Sequence, residues 1–278
     1  MLAAINAGCD AIYAGTDRFS ARAYADNLTC EDYIRGMTRA HLCGVKVYLT
    51  LNTLLFESEV SDAIRVIRQL YESGLDGIII QDTGLIAPIK TYFPNLSIHA
   101  STQMAVMNRG GAEALKNLGF ERIVPARELS LDELISIKKQ TGVELECFIH
   151  GAMCYSYSGM CLASSMIGDR SGNRGRCAGT CRLPFGGDKY PLSMKDLCGI
   201  ELLPKLLDAG IDSFKIEGRM KSPEYVAGVT DIYRRAIDAY LERGQYNEAS
   251  SSCDLEADGN KDSHSHESFD ISKKISIF

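Results

Sequence analysis

The sequence predicts an α/β protein built on a TIM-like (β/α)8 barrel that lacks its first strand. Short β-branched runs alternate with helical periodicities along the chain, the pattern of repeated βα units on a parallel sheet. Polar residues recur just after each run, as they do where the strands of a barrel end at a common rim. The chain of 278 residues, 45% hydrophobic and 24% charged, is large enough for one sizeable core and ordinary in composition for a globular fold.

In order, a helix is expected over 2–7 and a strand over 10–14, followed by helix 31–42 and strand 45–51. Helix 59–73, strand 77–81, helix 84–92, strand 96–100, helix 110–118 and strand 122–125 continue the alternation. Helix 130–140 and strands 145–149 and 213–216 complete it. Glycines follow several helices, at Cys43-Gly44, Ser73-Gly74 and Leu118-Gly119, where a left-handed C-cap suits them. Ser130 and Glu133 read as a capping box. Seven strands leave the barrel one short, and because Met1 leads directly into a helix the absence is placed at the front. One barrel domain is therefore expected over 1–245, with a cysteine-rich segment at 150–182. Residues 246–278 form a serine-rich, acidic stretch without sustained periodicity, expected to be a disordered tail.

Composition excludes several classes. No apolar run approaches the roughly 20 residues of a membrane-spanning helix, and ten cysteines without a secretory leader pattern point to reduced thiols and a cytoplasmic protein. The net charge of −6 argues against a generally basic nucleic-acid coat, yet residues 248–278 account for −4 of it. From His150 to Arg182 four arginines (Arg170, Arg174, Arg176, Arg182) face one acid, Asp169, which suits a phosphate or small anionic substrate as well as it suits an ordinary solvated loop.

That same segment holds Cys154, Cys161, Cys177 and Cys181, with six, fifteen and three residues between them. Four thiols in a glycine-rich polar setting suit a metal centre, and the lack of a CxxC pair favours iron–sulfur over zinc, which an all-cysteine site also accepts. Inert core thiols are the remaining alternative. The polar residues expected at the rim are Gly15 and Arg22, Asn52 and Thr53, Asp82, Ser101 to Gln103, Arg127 and Glu128, His150, and Glu217 with Arg219. His150 suits an acid–base group, a substrate donor or an anchor for the loop; Glu217 suits an acid or base, or a structural ion pair with Arg219 or Arg127. No HExxH or GxSxG is present, so only a Cys–His arrangement, such as His150 with Cys154, would support peptidase chemistry.

HGAMCYSYSGMCLASS followed by NRGRCAGTCR, with SMKDL at 193–197 and FKIEGRMKSPEYV at 214–226, closely resembles the collagenase-like peptidase family, peptidase family U-thirty-two. FSARAYADN at 19–27 and GVKVYLTLNTL at 44–54 look like its N-terminal half, so the resemblance spans about residues 1–245. Its members were first named proteases, but it also implies hydroxylation of transfer-RNA uridine, ribosomal-RNA cytidine or the ubiquinone ring by proteins carrying a 4Fe–4S cluster. The signature cysteines match Cys154, Cys161, Cys177 and Cys181. The SMKDL and KIEGRMKSPEYV pairing is most similar to the transfer-RNA 5-hydroxyuridine branch, which implies prephenate as a co-substrate. In this reading Arg170, Arg174, Arg176, Asn52 and Gln103 bind transfer RNA or the small anion, while His150, Glu217 and Arg219 line the reacting pocket. Proteolysis is the alternative, and a non-catalytic metal-stabilised binding module the second. The chain departs from the family in lacking a strand and an apolar-proline-glycine loop ahead of Leu2, and in its tail.

Overall fold

The computed structural model describes residues 1–20, 28–157, 159–218, 221–254 and 274–277. Helix α1 (Leu2–Asn6) leads into β1 (Ala11–Ala14), followed by α2 (Cys30–Leu42), β2 (Lys46–Leu51), α3 (Glu57–Glu72) and β3 (Gly77–Ile80). Then come α4 (Ile86–Tyr92), β4 (Ser97–Ala100), α5 (Arg109–Leu118), β5 (Arg122–Ile123), α6 (Leu131–Thr141) and β6 (Glu144–Gly151). Beyond the cysteine-rich segment, which contains the short α7 (Ala163–Gly168), lie β7 (Leu197–Cys198), α8 (Leu203–Asp208), β8 (Ser213–Ile216), α9 (Pro223–Asp254) and β9 (Lys274–Ile277).

The expected alternation is present, with local differences that have physical causes. The strand expected to reach Pro125 stops at Ile123, two residues short of an imide nitrogen that cannot donate to a ladder. The helix expected from 84 opens as a 3-10 turn at Thr83–Leu85, capped by the Asp82 carboxylate, before α4 begins. The Ser130 capping box forms as expected, with Glu133 accepting from the Ser130 amide at 2.7 Å.

Strands β1 to β6, β8 and β9 pair in parallel, and the ring closes through β5 with β6 and through β9 with β1. The expected vacancy beside β1 is therefore filled: β9 registers with all four residues of β8, from Ser213↔Lys274 to Ile216↔Ile277, and with Ala11 and Ile12 of β1. Of the stretch 246–278 expected to be a disordered tail, residues 246–254 continue α9 and 274–277 form β9, while 255–273 and 278 lie outside the described residues. The two-residue β7 adds an antiparallel pairing to β6, His150↔Cys198.

Every ring strand is covered on one side by helices and faces the barrel interior on the other, so side chains alternate between two different environments. Ile12 and Ala14, Val47, Leu49 and Leu51, Ile78 and Ile80, Leu145 and Ile149, and Phe214 and Ile216 belong to the large helix-facing core. The intervening Ala11, Tyr13, Tyr48 and Ile79 form a separate interior cluster. Beside them the interior holds a polar network. Lys215 Nζ meets Glu146 Oε1 at 2.6 Å, Ser213 donates to Glu146 Oε2 at 3.0 Å, and Arg122 bonds Glu144 at 2.8 Å and reaches Glu146 at 3.5 Å. Burial pushes the Glu146 carboxyl up, but Lys215 and Arg122 together overcome that and hold it well below the usual carboxylate range.

Two expectations follow. Glu146→Ala leaves two buried cations without their common partner and should lower unfolding stability by about 3–5 kcal/mol, read by urea denaturation. Deleting 274–278 exposes the edges of β1 and β8 and should lower the thermal midpoint and promote association; an unchanged melt with unchanged oligomeric state would show that β9 does not complete the sheet.

Candidate active site at the barrel mouth

The C-terminal ends of the strands converge on a cavity of about 70 Å³. Asn52, Ser101, Thr102, Gln103, Arg127 and Glu217 come from the strand-end loops, while Tyr13, Thr50, Phe148 and Lys215 point in from the strands themselves. The period-2 pattern explains the second set: each lies on the interior-facing parity of its strand. Asn52, Gln103 and Glu217 thus meet as the sequence suggested. Lys215, Thr50 and Tyr13 were overlooked because they sit inside strands rather than after them. The signal that could have found Lys215 is a lone lysine in the otherwise buried run SFKI.

Glu217 is 8% exposed; its amide donates to the His150 carbonyl at 2.9 Å and its carboxylate stands 3.7 Å from Arg127, the ion pair weighed from sequence. The Arg127 guanidinium lies 3.8 Å from the Phe148 ring centroid and donates to the Ala152 carbonyl at 3.3 Å. His150 is placed differently. Its ring faces Tyr225 and Tyr233 of α9, with Nδ1 3.3 Å from the Tyr233 hydroxyl, and it does not line the cavity. Burial lowers its pKa, with Asp196 opposing and Lys221 adding to the shift. Tyr233 also donates to the Ile149 carbonyl at 2.9 Å and accepts from the Gly199 amide at 3.1 Å, which locks the end of β6. Arg219, Arg22 and most of the FSARAYADN motif lie outside the described residues.

The cysteine-rich segment leaves β6 at this mouth and folds back over it. Gly159 rests on the loop after β4: a Cβ there would stand 2.7 Å from the Gln103 carbonyl oxygen, so only glycine permits the approach. Arg174 pins the far part of the segment, bonding the Leu54 carbonyl at 2.7 Å and Glu59 at 2.5 and 3.0 Å, and lying 4.6 Å from the Phe56 ring centroid. Arg182 donates to the Met153 carbonyl at 2.7 Å, to Ser193 at 3.0 Å and to the Met194 carbonyl. Arg174, expected to meet substrate, is thereby engaged in an internal latch. Arg170 donates to the Arg176 carbonyl at 3.2 Å, and Arg176 is exposed beside a second cavity lined by Arg18, Ser20 and Thr53.

Cys154 follows β6, Cys161 precedes α7, and Cys177 and Cys181 flank the next turns; none is in a disulfide. The Gly179 amide donates to Cys177 Sγ at 3.4 Å and the Ser164 hydroxyl points to it at 3.9 Å, the kind of donors that steady a thiolate. Among the described residues no three His, Cys, Asp or Glu side chains converge closely enough to hold an ion. The donor set is that of a soft-metal centre; the four sulfurs do not meet at one point.

The hydrogen bonds from Arg174 hold the Glu59 carboxyl below its usual range. A depressed folded pKa means that the latch contributes fully above the unfolded carboxylate pKa of about 4.3 and is lost as pH falls through the lower folded value. Arg174→Ala should therefore lower the amide protection factors across residues 163–182 at pH 7, as acidification below about pH 4.3 should do in the parent chain. Unchanged exchange in the variant would remove the latch.

A family model described as Peptidase family U32 matches residues 1–274. The chain is 42% identical over 259 residues to a 23S rRNA 5-hydroxycytidine synthase of Escherichia coli, covering 89% of this chain and 39% of that protein. It is 37% identical over 253 residues to tRNA hydroxylation protein P1 of Bacillus subtilis, covering 85% and 60%. A collagenase of Porphyromonas gingivalis is 34% identical over 277 residues, covering 89% and 65%. The chain thus spans between 39% and 65% of the length of these relatives. No helix among the described residues is long and apolar enough to cross a membrane. With the family model matched nearly end to end and relatives 37–42% identical on the same stretch, the chain belongs to peptidase family U32.

Proposed function

We propose that the chain is the barrel portion of an iron–sulfur RNA hydroxylase that installs a hydroxyl on a pyrimidine, with 5-hydroxyuridine in transfer RNA as the product. The observation that supports this reading is the contact of the cysteine-rich segment with the barrel mouth, Gly159 against Gln103 and Arg174 on Glu59, beside a polar pocket. The names of the Escherichia coli and Bacillus subtilis relatives support RNA as the substrate class.

Cys154, Cys161, Cys177 and Cys181 would hold a 4Fe–4S cluster, with zinc as the alternative occupant. When bound, such a cluster supplies one-electron redox chemistry that amino-acid side chains lack. The protein's own part is positional. Asn52 and Gln103 orient the substrate, and Glu217, held by Arg127, stands at the pocket wall as an acid–base group. Arg170 and Arg176 contribute positive charge at the rim for RNA phosphate, whereas Arg174 stabilises the segment. Replacing the C5 hydrogen of a pyrimidine by hydroxyl adds one oxygen atom and withdraws two electrons from the ring. The reaction therefore needs a two-electron acceptor and a source of the oxygen atom, and the family resemblance implies prephenate as a co-substrate or oxygen source.

The collagenase-named relative keeps proteolysis as the second reading. It would require a thiol beside a free imidazole, and His150 instead engages Tyr233. The deciding measurement is iron and acid-labile sulfide on protein purified without oxygen, beside a Cys154→Ser, Cys177→Ser variant, followed by nucleoside analysis of transfer and ribosomal RNA from cells with and without the gene. About four iron and four sulfide per chain, lost in the variant, together with a missing hydroxypyrimidine is the expected result. Folded protein without iron would sink the hydroxylase reading.

A further inference from the structure

We infer that a second cavity, set behind the barrel mouth in the helix layer over β6, is a binding site for one small, uncharged aromatic ring. The inference does not depend on the RNA-hydroxylation reading. The cavity measures about 160 Å³, and its walls include Leu129, Leu134, Leu197, Leu206, Phe148 and Met153. Leu202 also lines it and is 46% exposed, so the cavity is open to solvent on that side.

Local structure explains why the chain leaves this space unfilled. In a repeated βα unit the helix that follows a strand covers the outer side of the barrel. After β6 the chain instead leaves for the cysteine-rich segment and returns through β7 to α8, which has six residues against the eleven of α6. At about 1.5 Å per residue α8 is about 9 Å long. The eight residues of β6, at about 3.3 Å each, run about 26 Å, so α8 alone cannot cover the strand. Leucines from α6, α8 and β7 are left around one space. An apolar void deprives its lining of partner atoms and forfeits their dispersion contacts. A void of about 150 Å³ with such a lining stays dry and takes up benzene, so this one has the size of a single aromatic ring.

The polar groups on the wall decide the charge of the occupant. Among the described residues Arg127 is the one charged side chain there, and it faces Glu217 at 3.7 Å and donates to the Ala152 carbonyl at 3.3 Å. Cys147 lines the cavity as well; burial pushes its thiol up to about 12, with Glu146 and Asp212 adding to the shift, so it is uncharged at pH 7. A charged ligand would give up its hydration against leucine side chains, whereas an uncharged ring gives up little. The sulfurs of Cys147 and Met153 favour an aromatic over an aliphatic occupant, because sulfur makes favourable contacts with ring edges. Arg127 and Phe148 line the barrel-mouth cavity too, so the two spaces share a wall and an occupant of one touches side chains of the other.

The test uses the full chain with benzene, indole and benzoate, followed by ligand-observed saturation-transfer NMR. Leu134→Trp and Leu206→Phe, which fill the space from α6 and from α8, stand beside the parent protein. The parent should bind benzene and indole, and benzoate about tenfold more weakly. Each variant should weaken the binding of both rings about tenfold while its thermal midpoint stays level or rises, as expected when a void is filled. The chain contains no tryptophan, so Leu134→Trp supplies its own signal. Blue-shifted emission that iodide does not quench would place an indole in the cavity; red-shifted, quenchable emission from folded protein would show that the space does not admit a ring. Should Leu134→Trp fail to fold, Leu206→Phe carries the comparison. Folded parent that binds neither ring, or binds benzoate as well as benzene, would overturn the site, as would binding retained in both filled variants.

Discussion

The constraint on which the rest of the structure depends is the buried charge set inside the barrel, Glu146 between Lys215 and Arg122. Eight short parallel strands enclose an interior that apolar side chains could have filled, as Ala11, Tyr13, Tyr48 and Ile79 do in part. Placing ions there carries a desolvation cost, and such a pair is stable only if each charge meets a partner in good geometry. Glu146 accepts from Lys215 and Ser213 and faces Arg122, while Arg122 continues to Glu144 at the outer end. The network ties β5, β6 and β8 together across the lumen, and it ends upward at Lys215, against the aromatic ring of Tyr13. The floor of the cavity is therefore an ionic structure whose charge is already compensated.

The arginines of the cysteine-rich segment follow similar logic at the surface. A run of arginines with one acid suggests anion binding, yet arginine also presents a planar fork that suits backbone carbonyls and carboxylates. Arg182 uses its fork on Met153 and Met194, and Arg174 uses its own on Leu54 and Glu59. A segment with little regular structure has few apolar contacts to order it. Tyr155, Tyr157, Met160, Leu162, Met166 and Ile167 are all exposed, so polar clamps carry that task. Charge density in sequence thus identified the segment as unusual without distinguishing a latch from a ligand site.

Much of the fold was legible because strands buried on both sides read as continuous apolar runs and helices carry caps, as Ser130 and Glu133 do. The site was legible where it lies on loops that follow strands, which brought Asn52, Gln103 and Glu217 forward together. Three features were not. Lys215 and Thr50 are interior by parity, and a closed barrel must be assumed before parity assigns them to a cavity. His150 follows an irregularity in the β6–β8 register between Phe148 and His150, a local shift that no periodicity reveals, and its ring is turned to α9. The closing strand β9 comes from a stretch whose composition reads as solvated, and four residues are too few to stand out from it.

The seam between barrel and cysteine-rich segment makes these features one unit. At Gly151, φ is +107° and a Cβ would fall 2.7 Å from the Glu217 carbonyl oxygen, so the end of β6 can lie against the residue after β8 only without a side chain. The Glu217 amide then reaches the His150 carbonyl, and the carboxylate is presented to Arg127, which also donates to Ala152 at the start of the segment. Glu217, through Arg127 and Ala152, and Gln103, through Gly159, are therefore each in contact with the segment that carries Cys154, Cys161, Cys177 and Cys181.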